Sequence, residues 1–437
     1  MQSFHSSQQP RQISDDRKAL HMSIGIALVF FGSNTTQNFV VPIYHSLGAI
    51  AIGVMYLVAT VASFFAPSII SHFSSERRAL AFFAFEFCIF IGAFAFNYPV
   101  LILACSVIHG ISLACFWASQ GVYLGLISDK SNRGKRAGDF WAIFMTGNIL
   151  GNLCAYCIMR FMGLPSLQPG WNGSISITFL SLSLAAFLGS VLLCFLPPAG
   201  HPDVEETQAE LLQTSMPKTE SMSIWRGIKN CFILLTTPKF MLLVCTMFAN
   251  GYIALFVPSQ MNRQIRDSTS VGLYMALYAL SEILFSKVGA VVSDRFGAYY
   301  VILIGTVSQV VGQVLMICND CKQQPALYVL AYLFHGGADS CFQTQALALT
   351  LYYFPGLSAV ANACFRLFQF VSGSICALTT PLYVREGVVP WFLFLLENGV
   401  MWGILLLSLV CLTVFIVLYK TAIEVDDVAV AVEVENR

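Results

Sequence analysis

Two acidic residues lie deep inside apolar runs of the sequence, where ionisable side chains are uncommon. Glu282 lies in the run that begins at Val271, and Asp339 lies in the run that begins at Ala326. If both runs are helices, a rise of about 1.5 Å per residue places each carboxyl roughly 15–20 Å from the start of its run, near the midplane of a bilayer. An ionisable group at that depth is costly and usually faces a cavity or a partner.

These acids have two interpretations. In the first they form a proton-binding pair, because two buried carboxyl groups within reach of each other do not both ionise easily. In the second each acid is protonated, or bonds a hydroxyl of a neighbouring helix, and only stabilises the bundle. His335 and Gln343 stand four residues before and after Asp339, and this spacing predicts that the three residues form one stripe along a helix.

A second polar group lies in the first long apolar run. Six polar residues follow one another from Ser33 to Asn38, and Asn34, Gln37 and Asn38 share a helix face at spacings of three and four. Such a patch predicts a cavity lining, while the alternative is hydrogen bonding between neighbouring helices. Two further pairs with helical spacing carry the same two interpretations: Trp117 with Gln120, and Asn148 with Asn152.

Glu86 and Glu397 are two further acids inside apolar runs. Arg366 is the positively charged candidate, and it stands near the start of a later apolar run. It either contributes to a polar path through the bundle or extends its long side chain towards the headgroups. No P-loop, zinc motif or nucleophile elbow is present, so the sequence predicts neither an enzyme nor a bound cofactor or metal. A formal net charge of zero leaves no basic surface for nucleic acid.

The composition indicates what positions these residues. Hydrophobic residues make up 57% of the 437, charged residues only 11%, and the mean hydropathy is +0.72. Soluble domains average about 25% charged residues. A chain so poor in charge cannot cover a surface that faces water, and its predicted surroundings are therefore a lipid bilayer.

Apolar runs long enough to cross that bilayer recur along the chain. A hydrocarbon core of about 30 Å needs about 20 residues of helix, because backbone amides in lipid must bond within their own segment. The predicted fold class is therefore an all-α integral membrane protein with twelve transmembrane helices. The predicted spans are Leu20–Ile43, Gly48–Ile70, Ala79–Phe96, Val100–Ile127, Phe140–Met162, Ile175–Leu196, Phe240–Pro258, Val271–Val292, Tyr299–Cys318, Ala326–Phe354, Ala359–Leu382 and Trp391–Leu418.

Polar segments divide these spans into two groups of six. The predicted parts are an N-terminal tail (1–19), a first six-helix bundle (20–196), a cytoplasmic linker (197–239), a second six-helix bundle (240–418) and an acidic C-terminal tail (419–437). The end of the linker, from Ile224 to Leu235, mixes apolar with basic residues and predicts a helix in the membrane interface.

Loop charge predicts the orientation. Of the 23 Lys and Arg residues, sixteen fall in segments on the side of the N-terminus, five on the other side, and Lys287 and Arg366 inside spans. The excess of positive charge marks the cytoplasmic side, so both termini are predicted to be cytoplasmic. Nothing in the sequence distinguishes the plasma membrane from an endolysosomal membrane.

A glycosylation sequon, Asn172-Gly-Ser, falls in the predicted outer loop between spans five and six. It predicts a glycoprotein, unless Asn172 lies too close to the membrane to be modified.

An internal repeat supports the division into halves. His109-Gly110 precedes Cys115-Phe116 in span four, and His335-Gly336 precedes Cys341-Phe342 in span ten, at an offset of 226 positions. The same offset pairs Gly147 with Gly373 in spans five and eleven. Several matches in one register indicate a duplicated six-helix unit, which is a transporter architecture with sites near the midplane between the halves.

Three motifs carry a family resemblance. Ala290-Val-Val-Ser-Asp-Arg-Phe-Gly297, after span eight, resembles the G-x-L-A-D-R-x-G loop of the major facilitator superfamily. Trp117-Ala-Ser-Gln-Gly121 resembles the W-[TS]-[AS]-Q-G signature of the UNC-93-like family. Asp339-Ser-Cys-Phe-Gln-Thr-Gln345 resembles D-S-C-F-N-T-Q in the branch that includes major facilitator domain-containing protein eleven. The chain is identified as similar to that family and branch.

The resemblance implies the major facilitator fold and two kinds of function. Some members of the family regulate or escort another membrane protein, such as an ion channel or a receptor, and this is the function that the resemblance favours here. The alternative is secondary transport of a small solute, coupled to protons through the midplane carboxyl groups. By analogy with the superfamily, Asp294 and Arg295 would latch helices during a conformational change, while the other interpretation is an ordinary charged turn.

Overall fold

The chain folds as a bundle of long α-helices. A computed structural model describes residues 14–128, 133–165, 167–199, 224–319, 324–354, 358–383 and 391–435. In chain order the α-helices of these segments are α1 Asp15–Tyr44, α2 Ser46–Ser63, α3 Ala66–Ser71, α4 Glu76–Ala93, α5 Pro99–Leu126, α6 Arg133–Met162, α7 Ser174–Cys194, α8 Ile224–Leu235, α9 Pro238–Phe256, α10 Val271–Phe296, α11 Ala298–Asn319, α12 Pro325–Tyr353, α13 Ser358–Tyr383 and α14 Trp391–Glu435.

Twelve of these helices correspond to the twelve predicted spans. Ten helical stretches in the described segments are long and apolar enough to cross a membrane by length and composition. The other two are α4 and α12, which lie where spans three and ten are predicted. The charged start of α4, Glu76-Arg-Arg78, and the polar residues His335 and Asp339 of α12 explain their lower hydropathy.

Several boundaries differ from those predicted. Span two is not one helix, because Phe64 and Phe65 form a turn between α2 and α3, and a proline at the start of α3 suits a new first turn. The first helix begins at Asp15, inside the predicted tail, and α14 continues past Leu418 to Glu435. Helix α8 has the bounds predicted for the interfacial helix. Residues 200–223 of the predicted linker and 1–13 of the tail lie outside the described residues.

The two halves repeat one packing pattern. Helix α1 packs on α6 and α7, as α9 packs on α13 and α14, and α5 packs on α2 and α4, as α12 packs on α10 and α11. Repeat-related glycines sit at matching contacts. A Cβ on Gly110 would lie 2.4 Å from the Met55 carbonyl oxygen of α2, and one on Gly336 would lie 2.2 Å from the Tyr278 carbonyl oxygen of α10. The repeat seen in the sequence is therefore a repeat of close helix contacts.

The seventh span ends irregularly. After α9 the chain forms a π-helical turn, Val257–Met261, and then a 3₁₀ turn, Asn262–Gln264. Pro258 lies in the π turn and supplies no amide hydrogen there, which favours a change of helical pitch. Asn262 donates to the Asn38 carbonyl oxygen of α1 at 3.0 Å, so the irregular end joins the two halves.

The halves meet closely at one end of the bundle. We call it the outer end, because it carries residues 45 and 265–270, on the side that loop charge predicts to face out. There α2 packs on α13, α6 packs on α10, and Ser374 Oγ donates to the Gly53 carbonyl oxygen at 3.0 Å. Within the described segments, no comparable packing joins the opposite ends of α5 and α6 to α12 and α13. The interface between the halves is therefore closed at its outer end.

Gly272 permits this closure, and replacing it by alanine is expected to open it. An added Cβ would lie 2.3 Å from the backbone oxygen of Asn152 and 3.0 Å from Tyr156 Cβ, so α6 and α10 must separate. Overpacking of this kind costs roughly 1–3 kcal/mol, which corresponds to amide exchange faster by about fivefold or more. Hydrogen exchange at the outer halves of α6 and α10 measures the effect. Gly399→Ala is the control, because its added Cβ meets nothing within 4 Å. Equal exchange in the two variants would contradict the prediction.

Candidate functional site

A cavity of about 150 Å³ lies between the two halves, near the middle of the bundle. Its walls come from α1, α2, α5 and α6 of the first half, and from α9, α10, α12 and α13 of the second. A cavity of about this size in another protein admits benzene, so a small organic molecule has room here. Midplane sites between repeats are where transporters of this architecture bind their solutes.

Most of the residues predicted from the sequence line this cavity. Those that do are Asn34, Gln37, Asn38, Trp117, Asn148, Glu282, Asp339, Gln343 and Arg366. Two patches that lie in different halves of the sequence, the span-one amides and the midplane acids, therefore meet in one site. Whether they bind a solute or a proton remains a prediction.

The two acids lie together. Glu282 is 2% exposed and Asp339 is 8% exposed, and their carboxyl groups are within hydrogen-bonding range of each other. The Tyr278 hydroxyl donates to Asp339 Oδ2 at 2.7 Å, while Asp339 Oδ1 is buried and accepts no hydrogen bond from the other described donors. A proton held between the two carboxyl groups would satisfy both of them.

Arg366 reaches the same cavity across a row of amides. Its Nη1 donates to Gln369 Oε1 at 2.7 Å, and Gln369 Nε2 donates to Gln343 Oε1 at 2.8 Å and to Asn250 Oδ1 at 2.9 Å. The guanidinium carbon lies 5.0 Å from the centre of the Trp117 ring, a cation–π distance. Arg366 is therefore held over the cavity and not extended towards the headgroups.

The amides of the first half form a second network. Asn38 Nδ2 donates to Asn152 Oδ1 at 3.0 Å, and Asn152 Nδ2 donates to Asn148 Oδ1 at 2.9 Å. The Tyr56 hydroxyl donates to Gln37 Oε1 at 2.9 Å. Asn152 is fully buried one turn from the lining and supports it without lining it. Both interpretations of this patch therefore hold in part, because the amides line a cavity and also bond between helices.

Besides Asn152, two other predicted residues do not line the cavity. His335 points to α11, where its Nδ1 is 3.0 Å from Gln309 Oε1, so the predicted stripe through Asp339 and Gln343 is wrong at its first member. Steps of four residues advance about 40° beyond a full turn, and over eight residues the direction drifts by about 80°. Gln120 is buried and does not line the cavity either.

Asp294 and Arg295 lie on the last turn of α10 and not in a loop, because the helix continues to Phe296 and ends at Gly297, whose φ of 90° suits glycine. Both are exposed, and neither has an ion-pair partner in the part of the chain that the structure describes. The contact to α12 is made instead by Ser293, whose Oγ donates to Gln345 Oε1 at 3.0 Å. A latching role for the pair remains a prediction.

Asn172 is 3% exposed. Its Nδ2, the atom that a glycan would occupy, donates to the carbonyl oxygens of Gln168 and Gly170 at 2.7 and 2.8 Å. The folded loop therefore gives Asn172 a structural role, and its glycosylation remains a prediction.

Sequence reasoning missed several polar partners. Tyr278 lies one turn before Glu282 and Gln369 three residues after Arg366, so helical spacing from the charged residues would have found both. Two buried polar contacts outside the cavity were also missed: a hydrogen bond between His109 Nδ1 and Glu86 Oε2 at 2.6 Å, and an ion pair between Arg263 Nη2 and Glu397 Oε2 at 2.7 Å. Among the described residues, no three His, Cys, Asp or Glu side chains are grouped to hold a metal ion.

Comparisons with solved structures agree with this architecture. The xylose transporter XylE from E. coli, in a partially occluded inward open conformation, matches with a TM-score of 0.65 and 14% identity over 91% of this chain and 96% of that one. The nucleoside transporter NupG matches with a TM-score of 0.63 and 14% identity over 91% of this chain and 98% of that one. At these identities the likeness shows the fold, which is that of the major facilitator superfamily.

Comparisons with sequences identify the branch of that fold. The chain is 22% identical to UNC93-like protein MFSD11 of Xenopus tropicalis, over 87% of this chain and 93% of that protein. It is 22% identical to UNC93-like protein 3 of Arabidopsis thaliana, over 84% and 81%. The family model described as "Ion channel regulatory protein UNC-93" matches residues 41–408. The chain is therefore an integral, multi-pass membrane protein that belongs to the UNC-93 family.

Proposed function

We propose that this protein is a proton-coupled secondary transporter of a small solute, with its binding site in the cavity between the halves. The observation that carries the proposal is the pair formed by Glu282 and Asp339 in the wall of that cavity. A carboxyl pair with one shared proton can release it when the cavity opens to the other side. Coupling follows if proton and solute bind the same conformation, since each then favours the binding of the other.

The closed outer end supports this proposal. Asn262, Asn38 and Tyr332 connect the irregular end of the seventh span to both halves, with the Tyr332 hydroxyl donating to Asn262 Oδ1 at 2.6 Å. These contacts involve few hydrogen bonds, so they can break and re-form as the halves rock about the fixed site.

Solute-driven proton entry tests the proposal. The purified protein is reconstituted in liposomes that contain a pH-sensitive dye, and separate pools of organic acids, amino acids, sugars and nucleosides are added outside. We expect at least one pool to acidify the interior, in a manner that depends on the protein. Protein-free liposomes are the control. If no pool acidifies liposomes that hold folded protein, as judged by its thermal unfolding, the transport proposal is wrong.

A second candidate is regulation of another membrane protein, and the printed description of the family model favours it. Under this proposal the acids would have a structural role, and a channel or receptor would bind the outside of the bundle. Purification from native membranes in mild detergent, with quantitative mass spectrometry, tests it. A second membrane protein near one-to-one stoichiometry is expected under regulation, and a chain that purifies alone contradicts it.

A further inference from the structure

Among the described residues that line the central cavity, one positively charged side chain has no acidic partner. Arg366 is the only Lys or Arg among the described residues that line it. Its guanidinium contacts the Gln369 amide oxygen and the faces of Trp117 and Phe365, and none of the described carboxylates forms an ion pair with it. A guanidinium has five donors, so most of its hydrogen-bonding capacity remains for a bound molecule.

The other two charged residues that line the cavity, Glu282 and Asp339, form no ion pair with Arg366. The carboxyl groups of Glu282 on α10 and Asp339 on α12 are within hydrogen-bonding range of each other, and Asp339 accepts from the Tyr278 hydroxyl. Arg366 lies on α13, beyond Gln343 and Gln369. When both acids are protonated, the cavity therefore has a net positive charge at Arg366, and with one shared proton the charges in the cavity balance. When both acids are ionised, the cavity has a net negative charge, which opposes the binding of an anion.

From this arrangement we infer that the transported solute is a small organic anion, whose carboxylate binds Arg366 while its apolar part lies against Trp117 and the neighbouring aromatic rings. The inference rests on the proposed transport function. Arginine suits this task because its planar fork bonds both oxygens of a carboxylate. The aromatic wall is formed by Phe30, Trp117, Trp141, Phe144 and Phe370, and it favours a flat or apolar body over a strongly hydrated one such as a sugar.

Protons and the anion would then bind together. Protonation of the pair removes negative charge from the cavity and strengthens anion binding, and by linkage the anion strengthens proton binding. The other charged and titratable groups near the pair are Tyr278 on α10, Cys341 on α12, Tyr56 on α2 and Arg366 on α13. The lining residues of α6 and α9 are uncharged. The transported anion would therefore cross the membrane together with one or more protons.

Three probes of one shape and different charge test the inference. Benzoate, benzamide and benzylamine differ chiefly in charge, and each is titrated against the purified full-length protein by calorimetry, at mildly acidic and at neutral pH. We expect benzoate to bind at least about tenfold more tightly than the other two, since a hydrogen-bonded charge pair is worth about 1.5–3 kcal/mol. Benzoate should also bind more tightly at the acidic pH.

Variants of Arg366 test whether this residue causes the tighter binding of benzoate. Arg366→Gln should weaken benzoate binding by at least about tenfold, and Arg366→Lys, which retains the charge without the fork, should fall between. Lys287→Gln is the matched control, because it removes a cation from α10 at an exposed position outside the cavity. If Arg366→Gln does not fold, Arg366→Lys and the pH dependence decide. Equal binding of the three probes, no binding of benzoate, or unchanged benzoate binding in Arg366→Gln would overturn the inference.

These outcomes are separable from failure of the transport proposal. Proton entry driven only by neutral solutes would leave transport standing and overturn the anion inference. Arg366-dependent benzoate binding without proton entry from any pool would leave the anion site standing and overturn transport.

Discussion

Asp339→Asn is expected to abolish solute-driven proton entry while leaving exchange of the same solute across the membrane. The asparagine amide has nearly the shape of the carboxyl and can still accept from the Tyr278 hydroxyl, which donates to Asp339 at 2.7 Å. It cannot take up or release a proton. Uncoupled exchange, measured as counterflow of radiolabelled solute between equal pH on both sides, needs no proton and should continue.

A matched control separates coupling from folding. Glu86→Gln makes the same chemical change in α4, at an acid that lies in the first half, is paired with His109 at 2.6 Å and does not line the cavity. We expect this variant to retain proton entry. If solute drives proton entry through Asp339→Asn as it does through the unmodified protein, the acid pair has only a structural role. If Glu86→Gln loses coupling equally, the effect does not belong to the cavity.

The helices of this fold follow directly from the apolar runs, and the exceptions have physical causes. Runs of about 20 apolar residues predict helices because lipid offers backbone amides no partner. The turn at Phe64 and Phe65 was not predicted, since both residues are as apolar as a continuing span. Hydropathy measures burial in lipid and does not record where a helix changes direction.

The candidate site was predictable in composition but not in detail. The depth of Glu282 and Asp339 follows from counting residues along two spans that are predicted to enter the membrane from the same side, and this count predicts that both acids lie near the midplane. Their contact depends on how α10 and α12 rotate against each other, which packing decides; a carbonyl oxygen of Tyr278 against Gly336 is one such contact. The same rotation turns His335 away from the cavity, towards Gln309.

Contacts between segments that are far apart in the sequence were the hardest to predict. Arg263 counted only as an outer-loop charge, and Glu397 only as an acid in an apolar run. The two residues are 134 positions apart, and no local spacing relates them. The irregular turns after α9 bring Arg263 into the bundle, where it is 6% exposed and Glu397 is fully buried. A π-helical turn that draws a charge inward has no periodic signal in the sequence.

Breaking that pair is expected to have the largest effect on stability. Arg263 Nη2 donates to both carboxylate oxygens of Glu397, at 2.9 and 2.7 Å, and Nε donates to the Gln260 carbonyl oxygen at 3.1 Å. Glu397→Leu would leave the guanidinium buried without its counter-charge. Loss of one partner of a buried pair costs about 3–5 kcal/mol, and the measurement is the melting temperature of the purified protein in detergent.

The double variant Arg263→Met, Glu397→Leu should recover most of that stability, because two apolar side chains leave no unpaired charge in the bundle. It should not recover the closure of the outer end. Arg263 anchors the turn that presents Asn262 to Asn38 and Tyr332, and the double variant lacks this anchor. Hydrogen exchange over residues 257–264 should therefore remain faster than in the unmodified protein although the melting temperature is restored. A double variant as unstable as Glu397→Leu would mean that the pair is favourable in itself, and normal exchange would mean that it does not hold the turn.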